Sequence, residues 1–202
     1  RYPREVSCLL KNFRRNKREY YRVRRNDVSG LTAKEKAARF IFLNRYCFNG
    51  IYRTNLRGEF NVPYSPSRTG DLPTAEELTT CSRILKAAKL IGGDFERCLI
   101  DVGKGDFVYL DPPYTVSSRR IFREYGPRPF DDNDLERLAK SLQIIHDSGA
   151  HFVLSYAYSP EGLKWFRRWN PRKIRTVRNM AGFTSTKKFA FEIVATNIEG
   201  GK

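Results

Sequence analysis

The stretch "FVYLDPPY" (107–114) decides how the rest of the chain is read. Four strand-forming residues, Phe107 to Leu110, run directly into Asp111, two prolines and Tyr114. Pro112 and Pro113 hold φ near about −65° and carry no amide hydrogen, so the strand stops here and the turn after it is stiff. Further on, "DDNDLERLAKSLQIIHDSG" (131–149) offers Asp131 or Asp132 as an N-cap and Gly149 as a stop. Leu135, Leu138, Leu142 and Ile145 share one face between them, which predicts a helix. "HFVLSYAY" (151–158) then reads as a second strand, with His146 near the helix end and His151 near the strand start. Strand, helix and strand in this order make a parallel pair with a crossover helix.

Beyond the pair, "EGLKWFRRW" (161–169) predicts a short helix. "KIRTVR" (173–178) and "KFAFEIVATNI" (188–198), with Phe189, Phe191 and Ile193 alternating, predict an antiparallel hairpin. Before the pair, "KLIGGDF" (89–95) reads as a short strand ending at Asp94, and residues 95–102 as a short helix. Thr32 and Glu35, then Thr74 and Glu77, stand at capping-box spacing. The first pair precedes Ala37, Phe40, Ile41 and Leu43, and the second Leu78, Cys81, Leu85 and Ala88, so each opens a helix. Residues 44–69, rich in Asn, Arg, Gly and aromatics, follow neither period and read as an ordered loop or hairpin. The expected fold is a Rossmann-like α/β sheet, parallel at first and antiparallel at its C-terminal edge.

Composition narrows the partners. The 202 residues are 40% hydrophobic and 13% aromatic, enough for a real core. No run approaches the ~20 apolar residues that cross a bilayer. The opening "RYPREVSCLL" lacks the apolar centre of a secretory signal, and the missing initiator Met suggests a fragment or a processed product. Cys8, Cys47, Cys81 and Cys98 have no metal-ligand spacing, and reduced thiols fit a cytosolic compartment. The formal net charge is +16. Residues 1–30 hold ten Lys/Arg against three acids, and residues 161–188 nine against one. Such clustering favours a polyanion, and neither segment shows a clean amphipathic helix for a membrane surface.

Asp111 stands at the carboxyl end of a strand, where open α/β sheets keep their chemistry. An ordinary Pro-rich turn would explain Asp-Pro alone. The whole tetrapeptide fits one chemical problem, methylation of an exocyclic amine on a nucleobase. That nitrogen's lone pair is delocalised into the ring. A carboxylate from Asp111 and the Pro112 carbonyl, both accepting from its N–H bonds, would localise it. Pro113 stiffens the loop, and Tyr114 offers a face to a base extruded from its duplex. In-line attack on the methyl group of a sulfonium would then depend mainly on positioning.

The chain resembles the Dam-type DNA adenine methyltransferases over nearly all its length. "FLNRYCFNGIYRTNLRGEFNVP" (42–63) resembles the long signature of that family and "DPPY" (111–114) its catalytic motif. "GGDF" (92–95), "VLSYAY" (153–158) and "FTSTKKFAFEIVATNI" (183–198) are similar to its other motifs. The resemblance implies that Asp111 binds the target amine and helps anchor S-adenosylmethionine, whose adenosine would meet Asp94 and Phe95. It implies DNA contacts from Phe48, Asn49, Ile51, Arg53, Asn55, Arg57, Lys187 and Lys188. Asn49 would stand where the adenine leaves, Ile51 against a thymine methyl and Arg53 on a guanine, with GATC as the site. Phosphate contact or an ion pair is the alternative reading of Arg53 and Arg57 and the simpler one for Arg57, and Asn55, Glu59 and Asn61 could simply hold the loop. On this reading residues 1–85 form a DNA-recognition region and residues 86–202 the C-terminal part of a class I methyltransferase domain. The family's "W-A-G-G-K" and "P-F-x-G-x-G" segments do not occur here; "DVGKGDF" (101–107) precedes a strand and reads as a turn. The chain is thus expected to act on double-stranded DNA either as part of a longer enzyme or with a partner chain. The competing class is a DNA-binding subunit or remnant without activity of its own. Methylation of RNA or of a protein amide is disfavoured by Asp at 111.

Overall fold

The structure, a computed structural model, describes residues 2–55, 57–67, 70–114, 130–178 and 188–198, the side chains of Arg178 and Lys188 excepted. The chain divides into two compact units that part between Leu90 and Ile91.

The first unit carries α1 (Pro3–Lys11), α2 (Lys17–Arg25), α3 (Ala33–Tyr46) and α4 (Ala75–Leu85). Both expected capping boxes form. The Glu35 amide donates to Thr32 Oγ1 while the Thr32 amide donates to Glu35 Oε2, and Thr74 and Glu77 repeat the exchange. The bonds from Thr32 and Thr74 hold both carboxyls below the ordinary glutamate range. This contribution to stability is complete at neutral pH and is lost as the pH falls below that range.

α2 corrects the reading of the basic N-terminal stretch as lacking an amphipathic helix. Tyr20 and Val23 are fully buried on one side, and Arg18, Arg22 and Arg25 are carried elsewhere on the helix. The Tyr20 hydroxyl donates to the Val62 carbonyl at 2.9 Å, and burial raises its pKa. Arg39 of α3 donates to the carbonyls of Val23 and Arg24 at 3.1 and 2.9 Å. These belong to the last turn of α2, where a cation also meets the negative end of the helix dipole. The phase of α3 differs from the apolar pattern: Ala38, Phe42, Leu43 and Tyr46 are buried, and Phe40 is exposed. α3 also runs to Tyr46, into the stretch read as loop. α4 stops at Leu85, short of Ala88; Cys81 and Leu85 are exposed, and Leu78 packs against the core.

The second unit holds β1 (Phe107–Leu110), α5 (Asp132–Asp147), β2 (His151–Ala157), α6 (Pro160–Phe166), β3 (Arg172–Arg178) and β4 (Lys188–Thr196). Sheet order is β1-β2-β4-β3. β1 and β2 are parallel, with Leu110 opposite Leu154, and β4 runs antiparallel to both β2 and β3. This is the mixed sheet expected, a parallel pair followed by an antiparallel hairpin. Asp131 caps α5 in a capping box with Asp134, and Gly149 closes the turn after it at φ +78°. Leu135, Leu138, Leu142 and Ile145 lie in one core with Phe152, Leu154, Tyr156, Phe166 and Ile193. Phe107 and Tyr109 point to the opposite face and stay 60% and 62% exposed.

"KLIGGDF" is not a strand. Leu90 is 76% exposed, Gly93 has φ +112°, and the segment pairs with no strand among the described residues. The helix after it is a 3-10 turn, Phe95–Cys98, shorter than expected. Of the alternating residues on β4, Ile193 is buried and Phe189 and Phe191 are exposed. Leu142 is wholly enclosed between α5 and the sheet. Leu142→Ala is expected to lower the unfolding free energy by about 2–5 kcal/mol in urea titration.

Candidate functional site

The turn after β1 hangs on two anchors. Leu110 is locked in the sheet beside Leu154, and four residues later Tyr114 packs its ring against Tyr156. The rings meet edge to face, with centroids 5.3 Å apart and an interplanar angle of 79°, a favoured geometry for aromatic quadrupoles. Tyr156 is itself buried, against Phe166 of α6 at 5.5 Å. Gly162 lets the first turn of α6 approach this ring: a Cβ there would stand 2.7 Å from Tyr156 Cδ1. Between the anchors Asp111 is exposed, and no hydrogen bond or ion pair ties its carboxylate among the described residues. Pro112 and Tyr114 are half-buried and Pro113 is exposed.

Asp94 and Phe95 belong to the same unit. Asp94 caps the 3-10 turn by accepting from the Glu96 amide at 3.1 Å, and it also accepts from Arg137 Nη2 at 2.6 Å. Arg137, on α5, further donates to Glu96 and Asp134, both at 2.9 Å. Its hydrogen bonds to these carboxylates, first Glu96 and then Asp94, raise its pKa. The guanidinium also lies over the Phe95 ring, 5.0 Å from its centroid. Asp94 is therefore engaged within the protein, and half-buried Phe95 packs against the core of the unit. Sequence reading missed Arg137, whose partners Asp94 and Glu96 lie 43 and 41 residues away and give no local signal.

The candidate DNA-contacting residues of the first unit occupy a hairpin-like loop from Cys47 to Ser65. Isolated bridges pair Cys47 with Tyr64 and Thr54 with Phe60. The Phe48 amide donates to Pro63 and the Ser65 amide to Tyr46, both at 2.9 Å, so the loop is rooted at the end of α3. Asn49 and Gly50 take left-handed φ values of 58° and 64°, and Asn44 Nδ2 donates to the Gly50 carbonyl at 2.8 Å. Asn is among the few non-glycine residues that tolerate this conformation. Phe48 and Ile51, either side of that turn, are each 42% exposed. Arg53 is half-buried with its Nε on Asn61 Oδ1 at 2.8 Å. Asn55 serves the turn itself: its Nδ2 donates to Glu59, and its Oδ1 accepts from the amides of Arg57 and Glu59. The Arg57 side chain is exposed. Lys187 lies outside the described residues, and Lys188 opens β4.

A mixed α/β sheet with Asp-Pro-Pro-Tyr at the carboxyl end of its parallel pair is a methyltransferase fold. The family model of D12 class N6 adenine-specific DNA methyltransferases matches residues 4–180, and the chain belongs to that family. A type II methyltransferase from Lactococcus lactis subsp. cremoris is 33% identical over 204 aligned positions, covering 96% of this chain and 72% of the relative. A type II methyltransferase from Methanocaldococcus jannaschii is 35% identical over 183 positions, covering 84% of this chain and 62% of the relative. The DNA adenine methylase of Escherichia coli K12 is 26% identical over 177 positions, covering 87% and 63%. The chain thus spans roughly two thirds of the length of these relatives. Among the described residues no helix is long and apolar enough to cross a membrane, and no His/Cys/Asp/Glu cluster could hold a metal.

Gly162→Ala tests the mounting of the turn. Its Cβ must displace the Tyr156 ring, and overpacking of this kind costs about 1–3 kcal/mol. Urea titration is expected to read that loss, and the near-ultraviolet tyrosine signal to shift with it.

Proposed function

We propose that this chain works in the transfer of a methyl group from S-adenosylmethionine to the exocyclic amine of adenine in duplex DNA, with the adenine turned out of its helix. The observation that carries the reading is an exposed, untied Asp111 on a turn held at both ends, with the Tyr114 ring beside it. Asp111 and the Pro112 carbonyl accept the two amine N–H bonds and draw the lone pair out of the ring. Tyr114 offers its ring to the extruded base. Pro112 and Pro113 restrict the backbone, so the acceptor geometry exists before substrate arrives.

The fit to the donor is partial. Phe95 offers an apolar wall to an adenosine and Asp94 a partly accessible carboxylate, which the ligand would share with Arg137. When bound there, S-adenosylmethionine supplies an electrophilic methyl group on a sulfonium. Gly103-Lys104-Gly105, the Gly-x-Gly of "DVGKGDF", is a turn leading into β1, with Gly105 at φ +92°, and does not open a helix. We propose that a segment outside this sequence, or a partner chain, holds the methionine end.

For recognition we propose GATC. Arg53 would donate two bonds to a guanine, with Asn61 steadying its guanidinium, and Ile51 would meet a thymine methyl. Asn49 would fill the gap left by the adenine, with Phe48 beside it, and Arg57 and Lys188 would meet phosphates.

The test is transfer of labelled methyl to a GATC duplex by the chain alone and with the donor-side segment of a longer relative added. Transfer in either arm, abolished by Asp111→Ala with DNA affinity within about twofold of wild type, is the expected result. Absence of transfer in both arms with DNA binding intact would identify a binding subunit instead. Arg53→Ala is expected to weaken discrimination at one guanine by about 1–3 kcal/mol in competition binding. A uniform loss across all sequences would make Arg53 a phosphate contact.

A further inference from the structure

The alternation on β4 leaves an unexplained surface. Tyr156 and Ile193 face each other in register and are buried, yet Tyr158, Phe191 and Phe189 continue the same face outward and are 43%, 47% and 53% exposed. Lys173 and Arg175 of β3 lie on this face too, paired in register with Ile193 and Phe191. Each cation sits on aromatic rings. Lys173 Nζ is 4.1 Å from the centroids of both Tyr158 and Phe191, and Arg175 Cζ is 3.6 Å from that of Phe189. Neither cation makes an ion pair among the described residues, and the hairpin's carboxylate, Glu192, is turned to the other face toward Ser155 and Thr176.

The strand directions put this patch at the active end of the sheet. β4 is antiparallel to β2, so its first residues lie at the end where β1 and β2 deliver Asp111 and Tyr158. Along the strands Lys173 is level with Tyr156, two residues past Leu154 and hence level with Pro112. Across the sheet, three inter-strand steps of about 4.8 Å separate β3 from β1, roughly 14 Å. With the row of strands laid along the duplex axis, where a strand rises about 3.4 Å per nucleotide, that is about four steps from the nucleotide Asp111 would hold.

We infer that the face of the β3–β4 hairpin that carries Lys173 and Arg175 binds the DNA backbone about four nucleotides from the target base. The inference rests on the acceptor role proposed for Asp111. The rings are the support, not the contact. Each ring face is covered by a cation, which excludes a stacking base from that side and restricts two long side chains that would otherwise lose entropy on binding. A cation over a ring keeps its outward N–H groups for a phosphate. The excess of nine Lys/Arg over one acid in residues 161–188 supplies the matching field.

The test reads DNA binding without cofactor, so it stands apart from methyl transfer. The full 202-residue chain and its Lys173→Gln/Arg175→Gln double variant are titrated with a labelled duplex by fluorescence anisotropy over a range of KCl. The slope of log affinity against log salt should shrink by about 0.9 for each phosphate that the variant no longer neutralises, up to about 1.8, with the preference for GATC over other duplexes unchanged. Lys173→Arg/Arg175→Lys, which keeps both charges, should restore the slope. Neutral methylphosphonates about four steps from the target adenine should weaken wild type and leave the double variant unaffected. An unchanged slope, or equal sensitivity of both proteins to the methylphosphonates, would overturn the inference. Preference for single strands, abolished by Phe191→Ala, would also overturn it, by making the rings the contact. If Asp111→Ala leaves methyl transfer intact while the slope still shrinks, it is the acceptor assignment that fails, and the patch remains a backbone contact without its distance from the target.

Discussion

The contact on which the second unit depends is made by Tyr156. Its ring lies where β2, β4, α6 and the turn after β1 converge: opposite Ile193 in register, against Phe166, one atom's width from Gly162, and 5.3 Å from the Tyr114 ring. A close-packed interior transmits small displacements, because its neighbours have no void to absorb them. Tyr156 therefore couples the position of α6 to that of the Asp-Pro-Pro-Tyr turn. Asp111 can be solvent-exposed and still well placed, because the residues on each side of it are held by strand pairing and by ring packing. An exposed carboxylate on a free loop would lose that placement to chain entropy.

Arg137 does a comparable service for the segment before β1. Residues 89–94 have no strand pairing among the described residues, and the 3-10 turn after them is only four residues long. Exposed ion pairs individually contribute about 0–1 kcal/mol, so three carboxylates around one guanidinium are a weak stability argument. Their geometric effect is larger. A planar fork with fixed donors sets Asp94, Glu96 and Asp134 in one arrangement, and its face lies over Phe95.

How far the sequence carried the fold follows from the range of the forces involved. Three capping boxes, at Thr32, Thr74 and Asp131, are complete within four residues each, and all three form. Strand alternation and the Asp-Pro-Pro-Tyr stop are likewise local, so β1, β2 and the hairpin were recognisable. "KLIGGDF" misled because an apolar pair beside glycines has the composition of a strand end, while a strand exists only with a partner, which local sequence cannot display. α2 was hidden for the opposite reason: Tyr20 and Val23 are two anchors among five cations, and Tyr20 is held by Val62 some forty residues away. The phase of α3 shifted from Phe40 to Phe42 because tertiary packing, not the pattern alone, selects the buried stripe. At the turn after β1, the Asp111 to Tyr114 motif is legible because it is contiguous. Tyr156, Gly162 and Arg137 were not singled out, since each acts through contacts distant in sequence.

The same distinction changes what the net charge of +16 means. Arg24 and Arg39 donate to backbone carbonyls, Arg22 pairs with Glu19, and Arg137 is held by three acids. These cations still add to the long-range field that draws in a polyanion, because a field depends on charge and not on hydrogen-bond partners. They are poorly placed to displace counterions at short range, which requires a donor directed at a phosphate. The cations best suited to that are those whose donors face solvent on a restrained stem, the condition met by Lys173 and Arg175 on their rings. Encounter and docking therefore draw on different subsets of one basic surface, and composition reports only their sum.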